Sequence, residues 1–175
     1  MTEKKFAISF NENTNQEDYC EGSILLAGLA KTFTASLTSF SKASYLKQWA
    51  DAIRTAKHDR MFSALFTDVD LGTDGTGWLW FYTLIPSEDL EIYRPDEIKL
   101  ENQPEKGIYI TNSFYPVCTN PKSFLKRSYI EYEDGTKGDE LTYYFLDLQH
   151  PERFFGYLDY KICGRSNWFV KNSDF

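Results

Sequence analysis

The sequence predicts an α+β fold, in which a curved, largely antiparallel β-sheet or small sandwich has one long amphipathic helix packed on it. Three observations lead to this prediction. Aromatic residues make up 17% of the chain, and they favour strands. Short alternating apolar runs are separated by glycine-rich turns. One segment has helical spacing instead. A length of 175 residues is typical of one domain, so we expect a single domain over residues 1–175.

The chain before the helix is predicted to begin with a strand at Phe6–Phe10, where apolar residues alternate with small ones. The polar segment Asn11–Asp18 is predicted to be a loop. The apolar segment Gly22–Thr38 contains Gly28, and we expect one or two irregular strands there.

The helix is predicted over Lys42–Lys57, with the Ser41 hydroxyl capping its first turn. One apolar face is formed by residues spaced four, four and three apart, namely Tyr45, Trp49, Ile53 and Ala56. This spacing indicates a helix that packs one stripe against an apolar surface.

Two hairpins are predicted after the helix. The first joins Met61–Val69 to Gly77–Ile85 through the glycine-rich segment Asp70–Gly77. The second joins Tyr129–Glu133 to Leu141–Leu148 around an Asp-Gly pair. The remaining predicted elements are strands at Leu90–Tyr93 and Ile108–Tyr115, a short helix at Pro151–Leu158, and a strand or tail at Trp168–Phe175.

The composition excludes several classes of function. A net charge of −7 argues against binding to nucleic acid or to anionic membranes, whereas it would steer a basic protein partner. The three cysteines, Cys20, Cys118 and Cys163, are sparse and widely spaced, which is typical of reduced thiols in a cytoplasmic protein. No apolar h-region follows the polar segment Met1–Lys5, so we do not expect a signal peptide. No apolar stretch reaches about 20 residues, so we do not expect a membrane span.

No motif predicts catalysis, a metal site or a cofactor. The two histidines, His58 and His150, stand beside no nucleophile motif. The segment Asp68–Gly75 resembles a calcium loop, but neither register places both the central glycine and the closing glutamate correctly. No lysine follows the glycines as a phosphate loop requires. We therefore expect a protein that is not an enzyme.

Two other functions stay open at this point. A small carboxylate-dependent hydrolase would need two acids facing an aromatic-lined cleft from adjacent strands. A ligand-carrying β domain would need a sizeable apolar cavity.

Acidic residues are concentrated in two parts of the chain. Residues 67–105 contain ten acids and two bases, and residues 130–147 contain six acids and one base. A docking surface for a cationic protein explains this pattern, and so does a solvated face that prevents strand edges from aggregating. The sequence favours neither explanation.

A longer pattern resembles a known family. Tyr45 and Trp49 on the helix precede Ser63-Ala64-Leu65 on a strand, and an aromatic strand at Trp78–Leu84 follows. This order resembles the bacterial immunity proteins of contact-dependent growth inhibition and related polymorphic toxin systems. The later residues that are similar to the family's second hairpin and short helix are Tyr129–Gly135, Glu140, Leu141, Asp147 and Leu148.

The resemblance implies a cytoplasmic inhibitor that binds and neutralises the C-terminal toxin domain of a cognate effector, often a nuclease. Because nuclease domains carry basic surfaces, acidic hairpin tips are the predicted contacts. Exposed aromatic residues would serve as anchors between them. The candidate partner-binding residues are Asp68, Asp70, Asp74, Tyr82, Tyr132, Glu133, Asp134, Asp139 and Glu140.

Overall fold

A computed structural model describes residues 5–12, 16–88, 106–121, 127–158 and 167–175. The elements that lie wholly within these ranges are ten strands, one α-helix and two short 3₁₀ helices, and residues 87–88 are helical as well. Within this described part of the chain, all strand pairs but one are antiparallel. The predicted α+β class and the predominance of antiparallel pairing are confirmed. The predicted strand at Leu90–Tyr93 lies outside the described residues.

The first sheet has the order β1-β2-β3. Its strands are β1 (Phe6–Phe10), β2 (Tyr19–Leu26) and β3 (Leu29–Ser36). The strands expected between residues 22 and 38 are present as parts of β2 and β3. They are regular rather than irregular, because β2 and β3 pair without interruption from Tyr19↔Ser36 to Leu26↔Leu29. The connection is two residues long, and both have positive φ, 52° at Ala27 and 87° at Gly28. Such a turn matches the twist of a hairpin.

The second sheet has the order β10-β6-β5-β4, and β9 pairs with β6 in parallel. Its strands are β4 (Ser63–Leu71), β5 (Thr76–Pro86), β6 (Gly107–Cys118), β9 (Tyr144–Phe145) and β10 (Asn167–Lys171). The first predicted hairpin is confirmed as β4 and β5, with a tighter turn than predicted. The second is confirmed as a two-stranded sheet of β7 (Arg127–Glu131) and β8 (Lys137–Thr142). The prediction of a single strand over Leu141–Leu148 is wrong. β8 ends at Thr142, and the next strand, β9, begins at Tyr144, which pairs with Val117 of β6.

Helix α1 (Lys42–Lys57) has the predicted bounds, and the Ser41 hydroxyl accepts a hydrogen bond from the Ser44 amide. Its buried face hydrogen-bonds to the backbone of β4, the outermost strand of the second sheet. The Gln48 amide donates to the Ala64 carbonyl at 2.6 Å and accepts from the Phe66 amide at 2.9 Å. The side chain thereby satisfies backbone groups that an edge strand would leave unpaired.

Two aromatic residues of α1 extend this arrangement. The Trp49 indole donates to the Phe66 carbonyl at 2.6 Å. The Tyr45 hydroxyl accepts from the Val69 amide at 2.8 Å and donates to the Ser36 carbonyl at 3.1 Å, which joins β4 to the end of β3. Burial raises the pKa of Tyr45, so the phenol stays protonated and able to donate. The spacing of Tyr45 and Trp49 therefore follows from the geometry of this strand edge.

A short 3₁₀ helix, Pro151–Tyr157, covers the inner side of the second sheet. Its Phe154 is buried and makes edge-on contacts with Phe66 and Phe81, at ring-centroid distances of 5.7 and 5.4 Å. The Asp147 carboxylate accepts from the Gln149 and His150 amides and pairs with Arg153, which fixes the approach to this helix. The prediction of a short helix beginning at Pro151 is confirmed.

Candidate partner-binding face

Strand β5 alternates between two environments. Leu79 and Phe81 are buried on the side that Phe154 covers. The alternate residues Trp78, Trp80 and Tyr82 point to the opposite side, because successive side chains of a strand face opposite ways. This strand therefore contributes aromatic rings to both faces of the sheet.

Two of the rings on the outer side are well exposed. Trp80 is 46% exposed and Phe114, its partner on β6, is 51% exposed. Their rings stack with centroids 4.7 Å apart, and Trp78 lies 5.6 Å from Phe114. We call Trp78, Trp80 and Phe114 the aromatic face. Contiguous exposed aromatic residues on a sheet are typical of a surface that binds another protein.

Two carboxylates on β4 lie beside the aromatic face. Asp68 is opposite Trp80 and Asp70 is opposite Trp78 in the β4–β5 register, which brings each carboxylate close to an indole. Asp70 is exposed, whereas Asp68 is partly buried. Burial raises the pKa of Asp68, against the opposing effect of a hydrogen bond from the Ser36 amide at 2.8 Å.

An open depression of about 640 Å³ lies at this place, between β3 and the outer side of the second sheet. Its walls combine aromatic and polar residues, with contributions from the aromatic face and from β3. The lining residues are Phe33, Thr34, Thr67, Asp68, Trp80, Phe81, Tyr82, Asn112, Ser113 and Phe114. Asp68 is the single carboxylate among the described residues that line it.

At the tip of the first hairpin, the Asp74 side chain forms hydrogen bonds within the turn. The Asp74 carboxylate accepts from the Thr76 amide at 3.0 Å and from the Thr76 hydroxyl at 2.8 Å. Gly75 has a φ of 75°, the left-handed conformation that glycine adopts without strain. Asp74 therefore stabilises the turn, whatever else it contacts.

The second tip repeats this arrangement. The Asp134 carboxylate accepts from the Thr136 amide at 2.9 Å and from the Thr136 hydroxyl at 2.6 Å, and Gly135 has a φ of 78°. These hydrogen bonds, that of the hydroxyl foremost, lower the pKa of Asp134. Tyr132 is 52% exposed, and its ring lies over Gly138 on the paired strand. Glu133 is exposed at the turn.

The predicted site residues thus fall into separate groups. Asp68, Asp70 and Tyr82 lie together at the aromatic face, and Asp74 lies in the turn of the same hairpin. Tyr132, Glu133 and Asp134 lie in the turn that connects β7 and β8, the strands of a different sheet. Asp139 and Glu140 belong to β8, and their side chains lie outside the described residues. Their role in binding stays a prediction, as it does for every residue of the set.

The prediction omitted the aromatic face itself. In the sequence-based prediction, Trp78, Trp80 and Phe114 are strand residues and not contacts. The signal that could have found them is the alternation in Trp78–Tyr82, where each face of one strand carries large rings. A sheet needs only one such face for its core.

Comparison with known proteins gives a likeness to a solved structure. No family model and no curated protein matches the sequence. A chain of a solved structure, the "CdiA-CT/CdiI toxin and immunity complex from Enterobacter cloacae", is similar to this chain. The identity is 16%, the match covers 87% of this chain and 97% of the other, and the TM-score is 0.45.

The two histidines and the described cysteines lie at other places in the fold. His58 ends α1, and His150 begins the 3₁₀ helix with its Nδ1 3.4 Å from Glu152. Cys20 and Cys118 are buried thiols, and Cys163 lies outside the described residues.

Within the described ranges, no group of three or more His, Cys, Asp and Glu side chains could hold a metal ion. In the same ranges, no helix combines the length and apolarity that crossing a membrane demands.

The two alternative functions predict different geometry at this depression. A carboxylate-dependent hydrolase needs acids on adjacent strands facing one cleft, whereas Asp68 and Asp70 are two residues apart on a single strand. A ligand carrier needs an enclosed apolar cavity, whereas this depression is open and bears a carboxylate. The described residues that line this depression show neither geometry.

Proposed function

We propose that this chain is an immunity protein, which binds the toxin domain of a cognate effector and neutralises it in the cytoplasm. It would do so as one domain and without catalysing a reaction. The proposed family assignment is based on a sequence resemblance to such immunity proteins, which covers the helix, the Ser63-Ala64-Leu65 strand and the aromatic strand.

The observation that carries the binding function is the exposed stack of Trp80 on Phe114. Burying an apolar surface contributes about 25 cal/mol for each Å² removed from water. A partner that covers the rings of Trp80 and Phe114 would therefore gain binding free energy. Aromatic residues at the centre of a patch are also the usual source of binding energy in protein interfaces.

The charge of the chain supports a basic partner. The net charge is −7, and Asp68 and Asp70 place part of it beside the aromatic face. A toxin that acts on nucleic acid carries a positive surface, which an acidic protein approaches rapidly and then covers. Covering that surface would block the substrate without any chemical step.

The test begins with the reading frame upstream of the gene. We expect its C-terminal domain to stop bacterial growth when expressed alone, and co-expression of this chain to restore growth. Trp80→Ala combined with Phe114→Ala should lower the affinity of the purified complex by about 30-fold or more, since each of two anchors contributes about 1 kcal/mol or more.

The matched control is Tyr19→Ala, which removes a ring that is 51% exposed outside the aromatic face. It should leave both growth rescue and affinity unchanged. Full protection by the Trp80 and Phe114 double variant, with unchanged affinity, would place the interface elsewhere. Failure of the wild-type chain to protect against that domain would reject the pairing with this toxin.

A further inference from the structure

We infer that the depression beside the aromatic face binds one arginine side chain, which the partner protein inserts between the rings and the Asp68 carboxylate. That the partner is a toxin rests on the proposed function. The chemistry of the depression does not, because it follows from the residues that line it.

The walls are suited to a flat cation. The stacked pair of Trp80 and Phe114 lines the depression, and Phe33 and Tyr82 add two further rings. The face of an aromatic ring carries partial negative charge and attracts a cation. A guanidinium group stacks on such faces through its own plane and gives up its water more easily than an ammonium group does.

Asp68 supplies the countercharge. One of its oxygens accepts the Ser36 amide at 2.8 Å, and no lysine or arginine of the described residues pairs with its carboxylate. Partial burial without a cation disfavours the ionised carboxylate, which agrees with its raised pKa. An inserted guanidinium would supply the missing charge and donate hydrogen bonds to the second oxygen.

Two neighbours increase the attraction for a cation. Asp70 lies two residues along the same face of β4 and likewise forms no ion pair with a described residue. Asn112 lies opposite Tyr82 on the next strand and lines the depression, where its carbonyl can accept a further hydrogen bond. A phosphate group would meet these acids unfavourably, which argues against a nucleotide as the occupant.

The openness of the depression indicates that the arginine belongs to a protein. Free ligands are held in clefts that bury most of their surface, whereas this depression opens on the exposed aromatic face. A side chain delivered by a larger interface is held by the contacts around it, so it needs less enclosure.

The first experiment uses a small probe and needs no toxin. N-acetyl-arginine amide is titrated into the full chain, and the indole N–H signals of Trp78 and Trp80 are followed by NMR. We expect saturable shifts with the arginine probe, weaker shifts with the lysine counterpart and none with the neutral citrulline counterpart. Equal shifts with citrulline would overturn the inference, and so would no shift with any probe.

Variants then assign the binding to these residues. Asp68→Asn keeps an acceptor for the Ser36 amide, so a preserved Ser36 signal verifies folding, and the probe should bind about 10-fold more weakly. Phe114→Leu keeps an exposed apolar side chain but removes the ring, and it should also weaken binding. Asp59→Asn removes one charge from the end of α1 and should have no effect. Equal affinity in all variants would contradict the assignment.

The complex with the toxin separates the two proposals. If the wild-type chain protects against the toxin, and Asp68→Asn weakens that complex to a degree that diminishes at high salt, both are supported. If protection is intact and Asp68→Asn has no effect on either probe or complex, the arginine inference is wrong and the immunity function stands. If the probe binds through Asp68 but no toxin is neutralised, the proposed function is wrong and the arginine site stands.

Discussion

The two hairpin turns have the same internal hydrogen bonds but different support from the rest of the fold. In the first, Gly72 donates to Thr76 and Gly75 donates to Gly72; in the second, Tyr132 donates to Thr136 and Gly135 donates to Tyr132. Each turn contains Asp-Gly-Thr, with the aspartate accepting from the threonine. The same local sequence therefore gives the same local structure in both places.

The surroundings differ. The Gly75 carbonyl accepts hydrogen bonds from both the amide and the hydroxyl of Thr119, which follows β6. A Cβ added at Gly135 would meet nothing within 4 Å. The first hairpin also belongs to the five-stranded sheet, whereas β7 and β8 form a sheet of two. An aspartate at such a tip is thus a turn residue first, and its surroundings decide what further role is open to it.

The largest effect is expected where the helix supports the first hairpin. Gln48→Ala leaves the Ala64 carbonyl and the Phe66 amide without partners at a buried strand edge. At about 1–3 kcal/mol for each of the two unsatisfied groups, we expect a loss of about 2–6 kcal/mol in the free energy of unfolding. Urea denaturation measures it.

The control for this substitution is Leu46→Ala, which truncates an exposed residue of the same helix and should change stability by less than about 0.5 kcal/mol. Amide exchange in β7 and β8 should be the same in Gln48→Ala and wild type under conditions where the protein stays folded. Faster exchange there would show that the second hairpin depends on the helix too, and the contrast between the hairpins would fail.

Replacing the glycine of each hairpin turn by alanine should have a smaller effect on stability, and the effect should differ between Gly75 and Gly135. Because both have positive φ, Gly75→Ala and Gly135→Ala should each destabilise their hairpin by about 1–2 kcal/mol. At Gly75 the new Cβ would also lie 2.5 Å from the Thr119 hydroxyl oxygen. We expect an additional loss of about 1 kcal/mol there, as that hydroxyl's hydrogen bond is displaced. Amide exchange at each hairpin and urea unfolding provide the measurement.

A double-mutant cycle isolates the contribution of Thr119. In a Thr119→Ala background the clash is gone, so Gly75→Ala should then cost no more than Gly135→Ala. The Thr119 amide keeps its hydrogen bond to Gly75 in that background. An unchanged cost of Gly75→Ala would mean that the tertiary contact adds nothing to the turn.

The sequence was sufficient for elements that rest on local signals. The Ser41 cap, the apolar stripe of α1, the Asp-Gly turns and Pro151 each specify a neighbouring backbone conformation, and these elements formed where predicted. The β2–β3 hairpin was missed because its turn is Ala27-Gly28, a weaker signal than Asn-Gly or Asp-Gly. The family-like pattern of Tyr45, Trp49 and Ser63 proves to be hydrogen bonding between helix and strand edge, so it describes the scaffold rather than the contacts.

The candidate site depended on long-range packing. The alternation in Trp78–Tyr82 shows that two faces exist, but the location of Phe154 decides which face is covered. Likewise, nothing local separates Asp68, which bonds to Ser36 of β3, from Asp134, which bonds within its own turn. Acidic residues that cluster in the sequence therefore include side chains with different hydrogen-bonding roles in the fold.

The smallest expected effect is a pH dependence that separates these two aspartates. NMR titration of the side-chain carboxyl signals should give a pKa for Asp134 below the value of about 3.9 for an unfolded chain, and a pKa for Asp68 above it. Asp134 then stabilises the folded state at pH values above about 4, and this contribution is lost as the pH falls through its lowered pKa. Asp68 acts with the opposite sign, because its ionisation penalises the folded state and the penalty disappears as the pH falls below its raised pKa.

Neutral replacements test both signs through thermal unfolding at several pH values. The destabilisation by Asp134→Asn should be present at pH 6 and fade at acidic pH, since the carboxylate that the Thr136 groups hold is then protonated in the wild type as well. Asp68→Asn removes the partly buried charge while keeping an acceptor for the Ser36 amide. The stability of this variant relative to the wild type should therefore be higher at pH 6 than at pH 3. A common sign for the two variants would mean that the fold treats both acids as surface charges, and it would remove the unpaired, partly buried carboxylate on which the arginine site depends.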